Sequence, residues 1–227
     1  KLKLEKTPKS LNDLIEIIKI LRSPNGCDWD KEQTHKSLIP YLIEETYEVI
    51  DAINNNDYSL LKEELGDLLL HVLFQAELAN ENKLFNIEDS ITGVSNKLVK
   101  RHPHIFINKD DDSWAEGSWE KSKQKEKNRA SVLDGVPKSM PSLLRARRVQ
   151  EKAASVGFDW ESISPVFDKI KEEIKELEDA IKFNTNINEE LGDVLFSVVN
   201  LSRHLNIDPE LSLHNAIDKF YNRFLKV

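Results

Sequence analysis

The chain has one cysteine, Cys27, in 227 residues. That excludes an internal disulfide framework and fits a reducing compartment, so a cytoplasmic location is expected. Glycine is scarce, with 7 residues, while 32% of the chain is charged, a balance that suits a helix-rich soluble protein. Basic residues are outnumbered, 32 against 40 acidic, for a formal net charge of −8. A phosphate backbone needs a basic face, so no nucleic-acid partner is expected. No apolar run approaches the length that crosses a bilayer. The opening Lys1-Leu2-Lys3-Leu4-Glu5-Lys6 has no signal-peptide apolar core, and no membrane partner is expected.

What is present is one acidic pattern written twice. The first copy is Glu44-Glu45-Thr46-Tyr47-Glu48, followed by Glu64-Leu65-Gly66-Asp67. The second is Glu172-Glu173-Ile174-Lys175-Glu176, followed by Glu190-Leu191-Gly192-Asp193. Residues three apart share one helix face, so Glu45 and Glu48 project together, as do Glu64 and Asp67. Two such helices joined by a short turn pack antiparallel and can converge all four carboxylates. Four negative charges in a partly buried site repel one another unless a cation lies between them. All-oxygen ligation suits a hard cation, Mg²⁺ or Mn²⁺. Glu173, Glu176, Glu190 and Asp193 offer the same set in the second copy.

Helical periodicity surrounds both copies. Leu11, Leu14, Ile15, Ile18 and Leu21 form an apolar stripe that ends at Ser23-Pro24-Asn25-Gly26. Further helices are predicted over about 36–53, 59–80 and 87–101, the last stopping before His102-Pro103. The third carries Leu61, Leu65, Leu68, Leu69, Val72, Leu73 and Phe74, a face broad enough to be largely buried. The order then recurs, with helices predicted over 142–155, 165–183, 188–205 and from 209 onward. Asp28-Trp29 matches Asp159-Trp160 ahead of the acidic helices. Lys97 and Arg101 match Lys219 and Arg223 on the fourth helices. These landmarks predict an all-α protein of two tandem four-helix domains, 1–105 and 138–227. Residues 106–137 form a partly helical connector, with a short helix from Ser113 through Trp114 and Trp119 to Lys127 and a turn at Asp134-Gly135-Val136-Pro137.

Cys27-Asp28-Trp29-Asp30-Lys31-Glu32-Gln33-Thr34-His35, the two acidic patterns, Lys100-Arg101-His102-Pro103-His104-Ile105-Phe106 and Gly157-Phe158-Asp159-Trp160 together resemble the MazG family of nucleoside triphosphate pyrophosphohydrolases in its tandem-domain form. The resemblance covers nearly the whole chain. It implies an all-α fold, Mg²⁺ dependence, dimerisation, and hydrolysis of (deoxy)nucleoside triphosphates to monophosphate and pyrophosphate. It also implies metal ligation by Glu45, Glu48, Glu64 and Asp67, and by Glu173, Glu176, Glu190 and Asp193. Glu44 and Glu172 match the leading motif glutamate, as a ligand, a group that holds a ligand, or a base.

The residue types suit that chemistry independently. Cleavage between the α- and β-phosphates requires neutralising a polyanion and delivering water to the α-phosphorus, which carboxylate-held metal ions can do. Lys97 and Arg101, four apart, are candidates for phosphate contact, as are Lys219 and Arg223; the alternative is that they stabilise helix C-termini. Trp29 and Trp160 are candidates for stacking on a base, against the alternative of core anchors. His71, four after Asp67, is matched by Ser197 and is expected to be a packed residue or one that supports a ligand, rather than a ligand itself. Arg145-Ala146-Arg147-Arg148 is a candidate for an interdomain salt bridge. A di-iron carboxylate bundle would need paired Glu-x-x-His motifs, which the acidic helices lack. A non-catalytic helical interaction module is the remaining alternative, but both acidic sets are intact.

Overall fold

The computed structural model describes residues 10–106 and 131–226. Every regular element among them is a helix: α1 (Leu11–Arg22), α2 (Asp28–Glu32), α3 (Ile39–Asn54), α4 (Tyr58–Glu81), α5 (Ile87–Arg101), α6 (Pro103–Phe106), α7 (Ser142–Ala154), α8 (Ile163–Phe183), α9 (Ile187–His204) and α10 (Pro209–Phe224). None of these is long and apolar enough to cross a membrane. The chain divides into two compact units, residues 1–110 and 111–227. The short helix expected around Trp114 and Trp119 lies outside the described residues. Asp134-Gly135 does stand in a turn, with Gly135 at φ 82° and Asp134 Oδ2 accepting from Ser131 N.

Each unit is organised on one helical hairpin. In the first, α3 packs along α4 through the turn Asn55-Asn56-Asp57. Asn56 adopts φ 54°, a left-handed conformation that asparagine tolerates well. Asp57 then caps α4 by accepting from Ser59 N and Leu60 N. In the second, α8 packs along α9, and Asn184 and Asn186 at the turn have φ 55° and 46°. The sequence-based bounds agree with these helices to within a few residues. The expectation missed α2, which holds Asp28 and Trp29, and α6 after His102. Both are shorter than the periodicity that a sequence pattern needs.

The first unit's core is apolar: Ile18 of α1, Leu38, and Leu73, Phe74 and Leu78 of α4, with Leu14, Ile15, Leu70 and Ile87 packed against them. Arg22 closes its edge by pairing with Glu81, Nε to Oε1 at 2.6 Å and Nη2 to Oε2 at 2.7 Å. The second unit buries Val166, Ala180 and Val199, but also Gln150, Lys152, Ser197 and Asn200. Arg147 and Arg148 pair with Glu151, and Arg147 also with Asp208. Arg147 thus ties α7 to the start of α10. One correction concerns α4. Leu73 and Phe74 are buried, but Leu65, Leu69 and Val72 are exposed, so only part of its broad apolar face is covered within the chain.

Gly26 shows how tightly the α1–α2 connection is folded. A Cβ there would collide with the backbone carbonyls of Ile20 and Leu21, and Leu21 O already accepts from Cys27 N at 2.8 Å. Its counterpart Gly157 has open space around it but stands at φ 88°, where a side chain is strained. Gly26→Ala should therefore destabilise by roughly 1–3 kcal/mol or more, because backbone must move. Gly93→Ala, inside α5 with nothing within 4 Å, should be neutral or stabilising by up to about 1 kcal/mol. Thermal melting of the two variants checks this; equal melting temperatures would contradict it.

Candidate active site

The two hairpins each gather a set of carboxylates. On α3 and α4, one ligand oxygen each from Glu45, Glu48 and Glu64 lies within 4.8 Å of the others. Asp67 is not in that triad, but its charge acts on both Glu45 and Glu64, so it stands beside them. On α8 and α9 the triad is Glu173, Glu190 and Asp193, with the charge of Glu176 acting on Glu190. Helix spacing supplies each pair, and the hairpin turn supplies the convergence.

The electrostatics record the crowding. Burial, then the charges of Asp67 and Glu48, push the Glu45 carboxyl up to about 7. Glu64 is raised by burial and by Glu48 and Asp67, and Glu190 by burial and by Glu176 and Asp193. Crowded oxygen-only donors with raised affinity for a positive charge fit a hard divalent cation. His71 lies under the first cluster, with Nε2 3.9 Å from Glu45 Oε1, and burial lowers its pKa. Its ring lies nearly parallel to that of Tyr41 and offset from it, the centroids 6.3 Å apart. Trp29 meets Tyr41 edge-on at 5.9 Å.

The second cluster differs in having an internal cation. Lys169 lies one turn before Glu173 on α8, its Nζ 2.7 Å from Glu173 Oε1 and 2.9 Å from Glu172 Oε1. These two partners hold the ammonium above the usual lysine range. Tyr41 occupies the matching place in the first unit, four residues before Glu45. The i,i+4 spacing from Lys169 to Glu173 was the sequence signal for this cation, and it escaped notice beside the repeated carboxylates.

The other candidates are dispersed. Glu44 is exposed, and Glu172 is exposed and bonded to Lys169. Trp160 lines a cavity beside the second cluster, while Trp29 is engaged with Tyr41; both are about half-exposed, so neither is a core anchor. Lys97, Lys219 and Arg223 are exposed and Arg101 is partly buried. From Glu88 to Lys100 and from Ser212 to Lys226 every residue is exposed, so α5 and α10 touch their own units mainly through their first turns.

Glu45 gives the metal-free protein a pH signature. Its folded pKa lies above the ordinary 4.5, so the fold binds more protons than the unfolded chain between pH 4.5 and about 7. Stability should fall as pH rises through that window and level off above it. Glu64 and Glu190 act in the same direction, whereas the lowered pKa of His71 opposes them below its ordinary 6.5. Glu45→Gln should remove roughly 1–3 kcal/mol of that fall in chelator-treated protein. Melting curves between about pH 4.5 and pH 8 check it, and an unchanged slope would mean the Glu45 carboxylate is not crowded.

Comparison with known proteins places these hairpins in a family. The sequence pattern of the MazG nucleotide pyrophosphohydrolase domain matches residues 33–106 and 162–227, each segment containing one carboxylate set. The chain is 48% identical over 217 residues to a nucleoside triphosphate pyrophosphohydrolase/pyrophosphatase MazG of Thermotoga maritima, spanning 95% of this chain and 84% of that protein. It is 45% identical over 231 residues to a nucleoside triphosphate pyrophosphohydrolase of Escherichia coli, spanning 96% of this chain and 86% of the relative. An uncharacterized Bacillus subtilis protein, YabN, is 46% identical over 215 residues that make up 44% of its length. With its acidic hairpin present twice and both copies matched, the chain belongs to the MazG nucleotide pyrophosphohydrolase family.

Proposed function

We propose that the protein hydrolyses nucleoside triphosphates to nucleoside monophosphate and pyrophosphate with a divalent metal, Mg²⁺ or in substitution Mn²⁺. The observation that carries this reading is the pair of carboxylate clusters, each inside a segment matched by the family. Both relatives described above as pyrophosphohydrolases align across nearly all of the chain, both clusters included.

In this reaction water adds to the α-phosphorus, the bond from the α-phosphorus to the α–β bridging oxygen breaks, and pyrophosphate leaves. Divalent metal ions, when bound, neutralise the triphosphate and lower the pKa of coordinated water. Glu45, Glu48, Glu64 and Asp67 would hold them in the first unit, and Glu173, Glu176, Glu190 and Asp193 in the second. Glu172, bonded to Lys169, positions that ammonium beside the second cluster. Lys97, Arg101, Lys219 and Arg223 are assigned to phosphate oxygens, where a fixed cation favours the transition state as charge grows on the leaving group.

Such cations reach a substrate only if α5 and α10 are packed into a larger bundle, which suits a homodimer. Ile91, Val94 and Leu98 on α5 form an exposed stripe at helical spacing, as do Leu213, Ile217, Phe220 and Phe224 on α10. A lone amphipathic helix of this length is marginal in water, so these faces call for a partner helix, supplied by a second copy. The single thiol fits a cytoplasmic setting, and the net charge of −8 disfavours nucleic acid as partner.

Assay of a nucleotide panel should show pyrophosphate release that needs Mg²⁺ or Mn²⁺ and stops in excess chelator. Stepwise orthophosphate release would overturn the reaction. Combining Glu45→Gln, Glu64→Gln, Glu173→Gln and Glu190→Gln should lower turnover by orders of magnitude with the helical signal intact. Near-wild-type turnover would place the chemistry elsewhere. Sedimentation should give a dimer that Ile217→Asp with Phe220→Asp weakens; a monomeric wild type at micromolar concentration would remove the second copy.

A further inference from the structure

Between the end of α7 and the start of α8, the second unit carries Phe158, Asp159 and Trp160 on a segment without helix. Among the described residues its backbone N–H groups meet backbone carbonyls at two points, Gly157 N to Ala154 O at 2.9 Å and Phe158 N to Ala153 O at 3.1 Å. Both tie it back to α7. Its tie to α9 is made by side chains. Arg203 Nη1 donates to Asp159 Oδ2 at 2.8 Å and Nη2 donates to Oδ1, a two-pronged pair that fixes orientation as well as distance. The same Oδ1 accepts from Trp160 N at 2.9 Å, so one carboxylate also holds the tryptophan's backbone. The guanidinium keeps the Asp159 carboxyl below the ordinary carboxylate range.

The guanidinium is itself held. Its Nε and Nη2 donate to Asn200 Oδ1 at 3.1 and 2.9 Å, and the Arg203 side chain is only 14% exposed. Asn200 stands seven residues after Asp193 on α9, the helix that also presents Glu190. One helix therefore fixes half of the acidic cluster and, through Arg203, the segment that carries Trp160. Asp159, Trp160, Asp193 and Arg203 all border one cavity of about 580 Å³.

The first unit repeats the Asp-Trp pair without this clasp. Asp28, the match of Asp159, has a side chain 93% exposed and pairs with Lys31 of its own helix at 2.8 Å. Arg203 stands ten residues after Asp193; ten after Asp67 is Glu77, an acid that repels Asp28 rather than gripping it. There the connection is held by its backbone, with Arg22 of α1 donating to Asp30 O. The shared landmark thus does not itself require the ion pair. A loop left loose must be ordered each time a ligand closes on it, and that cost is taken from the binding free energy. A loop ordered in advance avoids it.

Resting on the pyrophosphohydrolase reading, we propose that Arg203 and Asp159 are positioning residues for the second unit's reaction. Their ion pair preorders residues 158–160 beside the acidic cluster, and Arg203 acts on substrate through Trp160 rather than as a phosphate-binding cation.

The test uses the full chain with Mg²⁺, its first cluster silenced by Glu45→Gln with Glu64→Gln so that turnover reports the second unit. Arg203→Gln and Asp159→Asn should each raise KM roughly tenfold and leave kcat within about threefold, the pattern of lost preordering. In a Trp160→Ala background Arg203→Gln should change KM by less than about twofold, because residues that act through one another are not additive. A cation that touched phosphate directly would behave otherwise. Asp159→Asn would then free the guanidinium and leave KM unchanged or lower, and Arg203→Gln would lower kcat even without Trp160. Either result would overturn the proposal. Amide hydrogen exchange reads the clasp without substrate. Residues 158–161 should exchange at least about tenfold faster in both variants, while α8 and α9 keep their protection. Unchanged exchange would also overturn it. If Arg203→Gln fails to fold, Asp159→Asn, which keeps the side-chain size, decides by both measures. If the silenced chain hydrolyses no nucleotide, the pyrophosphohydrolase reading of this unit fails separately, and hydrogen exchange decides the clasp.

Discussion

Like charges brought together on a pair of helices are the constraint around which each unit is arranged. Carboxylates three apart on one helix cannot avoid each other, and a three-residue turn brings a second pair against them. The cost is visible in Glu45, whose carboxyl is pushed up to about 7. Only rigid helices can hold such a cluster, which explains caps and left-handed asparagines at the turns. Asp57 starting α4 and Asn184 ending α8 stand at the turns that set each pair of helices antiparallel.

The two units answer the repulsion differently. In the second, the Lys169 ammonium is an internal counter-charge for Glu173. In the first, the matching side chain is Tyr41, which stacks on His71, and the cluster keeps its charge repulsion uncompensated by a lysine at that site. The same substitutions change the packing behind the carboxylates. Phe74 joins the apolar core and His71 packs on Tyr41 in the first unit, whereas Asn200 and Ser197 line a cavity in the second. The two repeats share the acidic pattern, while the packing around it differs.

The surface left by each hairpin is as informative as its core. Leu65, Leu69 and Val72 on α4, and most of α5 and α10, present apolar side chains that no described residue of their own unit covers. An exposed apolar stripe at helical spacing is the pattern of a helix with one buried face.

The sequence by itself determined the helices, the repeat and the acidic clusters. Period 3.6 in the apolar residues, breakers such as Ser23-Pro24-Asn25-Gly26, and carboxylates at i,i+3 are local properties that survive without a fold. Residues 87–101 were legible as a helix for that reason, to the residue. Short α2 was not, since five residues carry no period, nor was the split face of α4, because exposure depends on what lies opposite. Only the tertiary structure decided that Arg147 pairs with Glu151 and Asp208, that Asp67 and Glu176 stand at the margins of their clusters, and that Gln150 and Asn200 line a cavity beside the second one. Those facts depend on distances between residues far apart in the chain, which helical spacing cannot specify and side-chain packing does.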